Sequence, residues 1–176
     1  MDSLQQLAEL LTQRNAIDQQ IAAIIGRPAE KGHIGDFVGA QIFHIALHTS
    51  GSNKATDGYF TEGKLTGKSV NISYHAKIEG LMAITEDTTL DYYLILAGPK
   101  SPPISSRGIH RPWIIDAVFL FDRSVLVDMV QKRGTKLGVA TSVPQAQWEA
   151  AEIYPQSRNL LLTITAEQRA QLELFR

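Results

Sequence analysis

Leu4, Leu7, Leu10, Leu11, Ile17, Ile21, Ile24 and Ile25 recur at steps of three and four residues, which sets them along one side of a helix from Leu4 to Ile25. Both ends carry punctuation. Ser3 with Gln6 has capping-box spacing, Gly26 suits the left-handed closing position, and Pro28 stops continuation. Arg14 and Asp18 lie four apart and can pair on the exposed side, among the solvated Gln5, Gln6, Gln13, Gln19 and Gln20. Such a stripe usually faces the core of its own domain; the alternative is a helix that binds a partner or a second copy.

After a linker, Arg27 to His33, a second helix is predicted from Ile34 to about His48. Ile34, Phe37, Val38, Ile42, Phe43, Ile45, Ala46 and Leu47 make it apolar around much of its circumference, so it should be buried. The polar run Thr49 to Lys54 ends it. Extended chain follows at Asp57-Gly58-Tyr59-Phe60, then a turn at Glu62-Gly63-Lys64. From Ser69 to Lys77 the pattern alternates: Val70, Ile72, Tyr74 and Ala76 take one face, Asn71, Ser73, His75 and Lys77 the other.

Asp91 to Ala97 is a continuous apolar run bounded by Gly98-Pro99, as in a strand buried on both faces. Lys100 to Pro112 lacks periodicity and reads as a loop. Trp113 to Phe121 reads as a further central strand. Asp122 then caps a helix that Gly134 closes, and Leu137 to Ala140 reads as a short strand. Pro144 to Glu152 reads as a short helix and Leu160 to Ile164 as a strand. Thr165 with Gln168 caps a final helix ending near Phe175. The fold class expected is α/β, a mixed central sheet flanked by helices behind a long N-terminal helix. Residues 1–31 form the helix and linker, and residues 32–176 a single domain.

Composition narrows the possible functions. A chain of 176 residues, 44% of them hydrophobic, can bury roughly two-thirds of its unfolded surface without covalent staples. Seventeen basic against 18 acidic residues leave a net charge of −1, so any contact with DNA or RNA needs a local patch rather than an overall basic field. The lack of cysteine excludes disulfides, thiolate zinc sites and cysteine nucleophiles. The start Met1-Asp2-Ser3 is unlike a secretory leader, and no run approaches the roughly 20 apolar residues of a membrane span; the expectation is a cytoplasmic protein without membrane contact.

The candidate chemistry is concentrated between Asp36 and Lys77. Asp36 falls in the first turn of the predicted second helix, where the dipole favours a carboxylate. Asp57 opens an extended segment, and Asn71, Ser73, His75 and Lys77 step along one strand face at about 6.6 Å intervals. Such a face can aim a metal ligand and a cation at one phosphate, and metal-assisted phosphodiester hydrolysis needs both.

This order of a helix carboxylate, an Asp opening a strand and a polar alternating strand resembles the PD-(D/E)XK, restriction-endonuclease-like nucleases. A closer resemblance, over Leu4 to Phe121, is to a group of bacterial proteins sharing a domain of unknown function. It is carried by Gly32-His33-Ile34-Gly35-Asp36-Phe37, Asp57-Gly58-Tyr59-Phe60, Val70-Asn71-Ile72, Lys77-Ile78-Glu79-Gly80-Leu81 and Asp91-Tyr92-Tyr93-Leu94. The nuclease resemblance implies a restriction-endonuclease-like core with Asp36, Asp57 and Asn71 as Mg²⁺ ligands. Asp57, Asn71, Lys77 and His75 would be its reacting groups, the last two for phosphate contact or proton transfer. The third motif departs from the pattern: Asn71 replaces an acid and Ser73 the lysine. Lys77 lies about 13 Å further along the strand. The readings open at this point are an active nuclease, a domain of that fold that binds without cutting, and an unrelated α/β domain; the alternative of a different class is a noncatalytic interaction protein working through its N-terminal helix and the Pro-rich loop.

Weaker patterns are assigned to structure. His44 and His48 have the spacing of two zinc ligands on a helix but lack a third. Gly51-Ser52-Asn53-Lys54 lacks the Gly-Lys-Ser/Thr ending of a phosphate loop. Glu86, Asp87 and Asp91 suit a turn. Lys100, Arg107, His110, Arg111 and Trp113 interleave cations with an aromatic, as phosphate- and base-contacting loops do, but without a supporting field.

Overall fold

The computed structural model describes residues 2–49, 55–100 and 110–176. Among them are five α-helices and a six-stranded mixed sheet in the order β1-β2-β3-β5-β6-β8. The helices are α1 (Ser3–Ile25), α2 (Lys31–Phe43), α3 (Arg123–Lys132), α4 (Gln145–Ala151) and α5 (Ala166–Glu173). The sheet strands are β1 (Ile45–Leu47), β2 (Gly58–Phe60), β3 (Ser69–His75), β5 (Tyr92–Ala97), β6 (Ala117–Asp122) and β8 (Glu152–Tyr154); β4 (Leu81–Met82) and β7 (Thr141–Ser142) form a separate pair. All sheet neighbours are antiparallel except β3 and β5. The Gly51–Lys54 turn and most of the Lys100–Pro112 loop, Arg107 included, lie outside the described residues.

Alternation along the strands builds two cores. Val70 and Ile72 of β3, Leu94 and Leu96 of β5 and Leu120 of β6 turn towards α2 and α5. Tyr93, Ile95, Phe119 and Phe121 turn the other way, towards α3, α4 and Trp148. Every residue of β5 is buried, as its apolar run predicts. The polar positions of β3 likewise fall opposite Val70 and Ile72.

Several boundaries differ from the sequence reading, each for a visible reason. The cap of α1 is Asp2, whose side chain accepts from the Leu4 amide, rather than Ser3. The second helix ends at Phe43, because His44 takes the left-handed conformation (φ 53°) and Ile45–Leu47 pairs with β2. His44 and His48 therefore share no helix face. Trp113 lies outside β6: the amide of Ile114 donates to the Tyr74 hydroxyl, and Trp113 stacks on the Tyr74 ring at 4.6 Å. Its indole N–H donates to the Lys31 carbonyl, so this aromatic anchors the α2 start.

Leu137–Ala140 is a turn, with the Thr141 hydroxyl at the Gly138 backbone, and pairing begins only at Thr141. Leu160–Ile164 is not a strand. The place beside β6 is taken by β8, while Asn159 donates its amide to the Leu120 carbonyl at 2.8 Å and accepts from the Leu161 amide. Asn159 is buried, so Asn159→Leu strands these backbone groups. We expect a loss of about 1–3 kcal/mol, read by urea unfolding.

The other signals hold. Gly26 closes α1 with φ 70°, Asp122 caps α3 through the Val125 amide, and Thr165 with Gln168 forms a capping box at α5. Asp87 accepts from Thr89 and Asp91 from Ser69, both as turn and strand-edge fasteners. No described helix is long and apolar enough to cross a membrane.

A candidate carboxylate site at the α2–β2 junction

Two close approaches bring α2 onto β3. A Cβ on Gly35 would lie 2.8 Å from the Cβ of Tyr74, and one on Gly39 would lie 3.1 Å from Ile72. Only glycine lets the helix settle this deeply. Asp36, next to Gly35, is thereby carried to the sheet, with a side chain only 14% exposed. It sits in the second turn of α2, since the helix starts at Lys31, so the first-turn dipole expected from sequence does not serve it.

Asp57 enters from the sheet side. It immediately precedes β2, and its amide donates to the Val70 carbonyl. Its carboxylate oxygen Oδ2 accepts the Ile72 amide at 2.7 Å. The side chain thus stands where a backbone carbonyl would continue the β2–β3 ladder, and holds the sheet open at that point.

The two acids share one field. Burial, followed by the nearby Asp57 charge, pushes Asp36 up to about 6 against the opposing pull of Arg27 and His33. Burial also raises Asp57, while the Ile72 amide, Arg27 and His48 work against the rise. Arg27 supplies the compensating cation: its Nη1 lies 3.0 Å from Asp36 Oδ2. It arrives because the left-handed Gly26 turns the chain back from α1 towards α2. His48 completes the surroundings, with its Nε2 3.0 Å from the Thr56 hydroxyl and its amide bound to the Asp57 carbonyl.

The other nominated residues are elsewhere. Asn71 accepts from the Ser73 hydroxyl and borders a hollow with Ala55, Thr85, Tyr93 and Gly138, on the sheet face away from α2. His75 lies on that same far face, its ring 6.1 Å from Trp148, and burial lowers its pKa. Lys77 follows the end of β3 and is paired with Glu79. Asp36 feels the charge of Asp57 and both feel that of Arg27, whereas Asn71 and His75 lie on the opposite face of the sheet and Lys77 beyond the end of β3. Arg27 and His48 join instead. From its place in the sequence Arg27 is linker and His48 helical; the one usable signal for Arg27 is its position after a helix-closing glycine.

Among the described residues no cluster of three or more acidic or histidine side chains is assembled for a metal. The donor set fits a hard cation in a restricted way: two carboxylates, each with one oxygen already engaged, can hold Mg²⁺ only when water or phosphate oxygens complete its shell. A positive ion would offset the burial, and after it the Asp57 charge, that raise Asp36. Comparison with protein-family models and with curated proteins returns no match for this chain.

Proposed function

We propose that this chain is a nucleic-acid-binding domain of restriction-endonuclease-like type that has kept the carboxylate pair of a nuclease and lost its cutting groups. The observation that supports this reading is the half-buried pair Asp36 and Asp57, one acid from a helix and one from just before a strand, both in the field of Arg27. In it Asp36 and Asp57 would hold Mg²⁺, with Asn71 too far round the sheet to take part. Bound there, Mg²⁺ would neutralise charge on a backbone phosphate. Arg27, half-exposed, would contact the same phosphate with its guanidinium. Ser73 stands where the nuclease pattern sets its lysine, so the reading is binding without cleavage.

The test uses fluorescently labelled DNA and RNA with the full chain, in Mg²⁺ and in EDTA. We expect retention in Mg²⁺ that Arg27→Ala and Asp57→Asn each abolish, with the nucleic acid left intact. At ten times its dissociation constant Mg²⁺ alone should stabilise the native chain by about 1.4 kcal/mol, raising Tm by about 3–6 °C, and not do so in Asp57→Asn. Absence of a Mg²⁺-dependent shift in the native chain overturns the cation site; cleavage that needs Asp57 overturns the loss of cutting.

A second reading, a noncatalytic protein–protein interaction domain, rests on a separate observation. No residue of α1 is buried, and Leu4, Leu7, Leu10, Leu11, Ile17 and Ile24 are all exposed. An apolar stripe that its own domain leaves uncovered supports a docking role.

A further inference from the structure

The 23 residues of α1 make about 34 Å of helix. Among the described residues its apolar positions are covered only near its C-terminal end, where Ile21, Ala22 and Ile25 are half-buried. Its exposed apolar residues obey a heptad repeat. Leu7, Arg14 and Ile21 occupy successive a positions, and Leu10, Ile17 and Ile24 occupy the d positions. Leu7, Leu10, Ile17 and Ile24 are between 52% and 70% exposed. One charge, Arg14, interrupts the seam, and it is paired within the helix to Asp18 at 3.4 Å.

We propose that α1 is a self-association helix that pairs with α1 of a second copy in antiparallel orientation. The position of Arg14 argues for the orientation. In a parallel pair each a residue meets its own copy, so Arg14 would face Arg14 inside the seam, where like charges repel. In an antiparallel pair a positions meet d positions. The alignment that sets Leu7 against Ile24 also sets Leu10 against Ile21 and Arg14 against Ile17, with Asp18 of the second helix beside that arginine. Every layer is then apolar on both sides except the two central ones. There Arg14 lies with its aliphatic stem on isoleucine and its charge near an aspartate from each helix. The stripe is thus complementary to its own reverse. The opposite side of α1 is rich in glutamine, and Arg14 is its single basic residue, unlike the Lys/Arg-rich polar face of helices that lie on lipid. A second copy fits better than a bilayer surface.

The absence of cysteine permits a direct test on the full chain. Leu7→Cys and Ile24→Cys are prepared separately and mixed under mild oxidation, while light scattering after size exclusion gives the mass of the native chain. We expect a dimer, a Leu7–Ile24 cross-link in the mixture, and little cross-linking of Leu7→Cys alone. Leu10→Glu with Ile17→Glu should return the mass to that of a monomer that still melts cooperatively, with a Tm independent of protein concentration, since neither residue supports the core. A native chain that stays monomeric overturns the proposal, as does a dimer that survives the double glutamate variant. A Leu7→Cys variant that cross-links efficiently to itself overturns the orientation.

Discussion

Gly58→Ala should lower the stability of the chain by about 3 kcal/mol, which for a chain of this size is a fall in Tm of about 6–12 °C. Gly58 is paired to Leu47, and a Cβ added to it would lie 2.2 Å from the Ala46 carbonyl oxygen and 2.9 Å from its carbon. That contact is with the backbone of the neighbouring strand, so no rotamer change can relieve it. Either β1 and β2 separate or the β2 entry shifts. Asp57 is the preceding residue, and its hold on the Ile72 amide moves with it. Thermal and urea unfolding read the loss directly. An alanine variant as stable as the native chain would mean that the β1–β2 ladder is not closed as described.

Asp36→Asn should do the reverse at neutral pH and raise stability. Asp36 titrates at about 6 in the folded chain against an ordinary 3.8, so the folded state holds a proton more tightly than the unfolded state. Stability linked to this group is therefore present at low pH and is lost as pH rises from about 4 through about 6. Above that window the native chain carries the full cost of the buried charge, and asparagine does not. With partial solvent screening we expect a gain of about 1–2 kcal/mol at pH 7, or about 2–8 °C in Tm, and almost none at pH 4. Melting curves from pH 4 to pH 8 check it. Equal shifts at both ends of that range would sink the assignment of strain to this carboxylate. A candidate site residue whose removal stabilises the fold is the pattern expected where stability has been given up for binding.

Together the two substitutions separate scaffold from site. Gly58 acts through backbone geometry that is insensitive to pH, and Asp36 through charge.

The local elements were readable because their signals are local. Alternation over Ser69 to His75 assigns a strand and its two faces from a period of two. Thr165 with Gln168 and Asp122 with Val125 satisfy amides three residues away. The buried run Tyr92–Ala97 needs two covered faces and receives both.

What the sequence could not determine depends on neighbours distant along the chain. Ile45–Leu47 has a helix-compatible pattern, yet it becomes strand because Gly58–Phe60 offers a ladder and His44 turns the backbone. Leu160–Ile164 has a strand-compatible pattern, but β8 already fills the sheet edge that it would need. Amphipathicity alone cannot say whether a helix stripe meets its own domain; in α1 it does so only around Ile21 and Ile25 among the described residues. The polar face of β3 was correctly read, and it carries Asn71 and His75 away from the acids it was expected to join, because α2 packs on the opposite face. Local pattern therefore assigned α1, α3, α5, β3, β5 and β6, the faces of β3, and the caps at Gly26, Asp122 and Thr165. Tertiary structure decided which acids and cations meet, since that is fixed by the depth to which Gly35 and Gly39 let α2 sink onto the sheet.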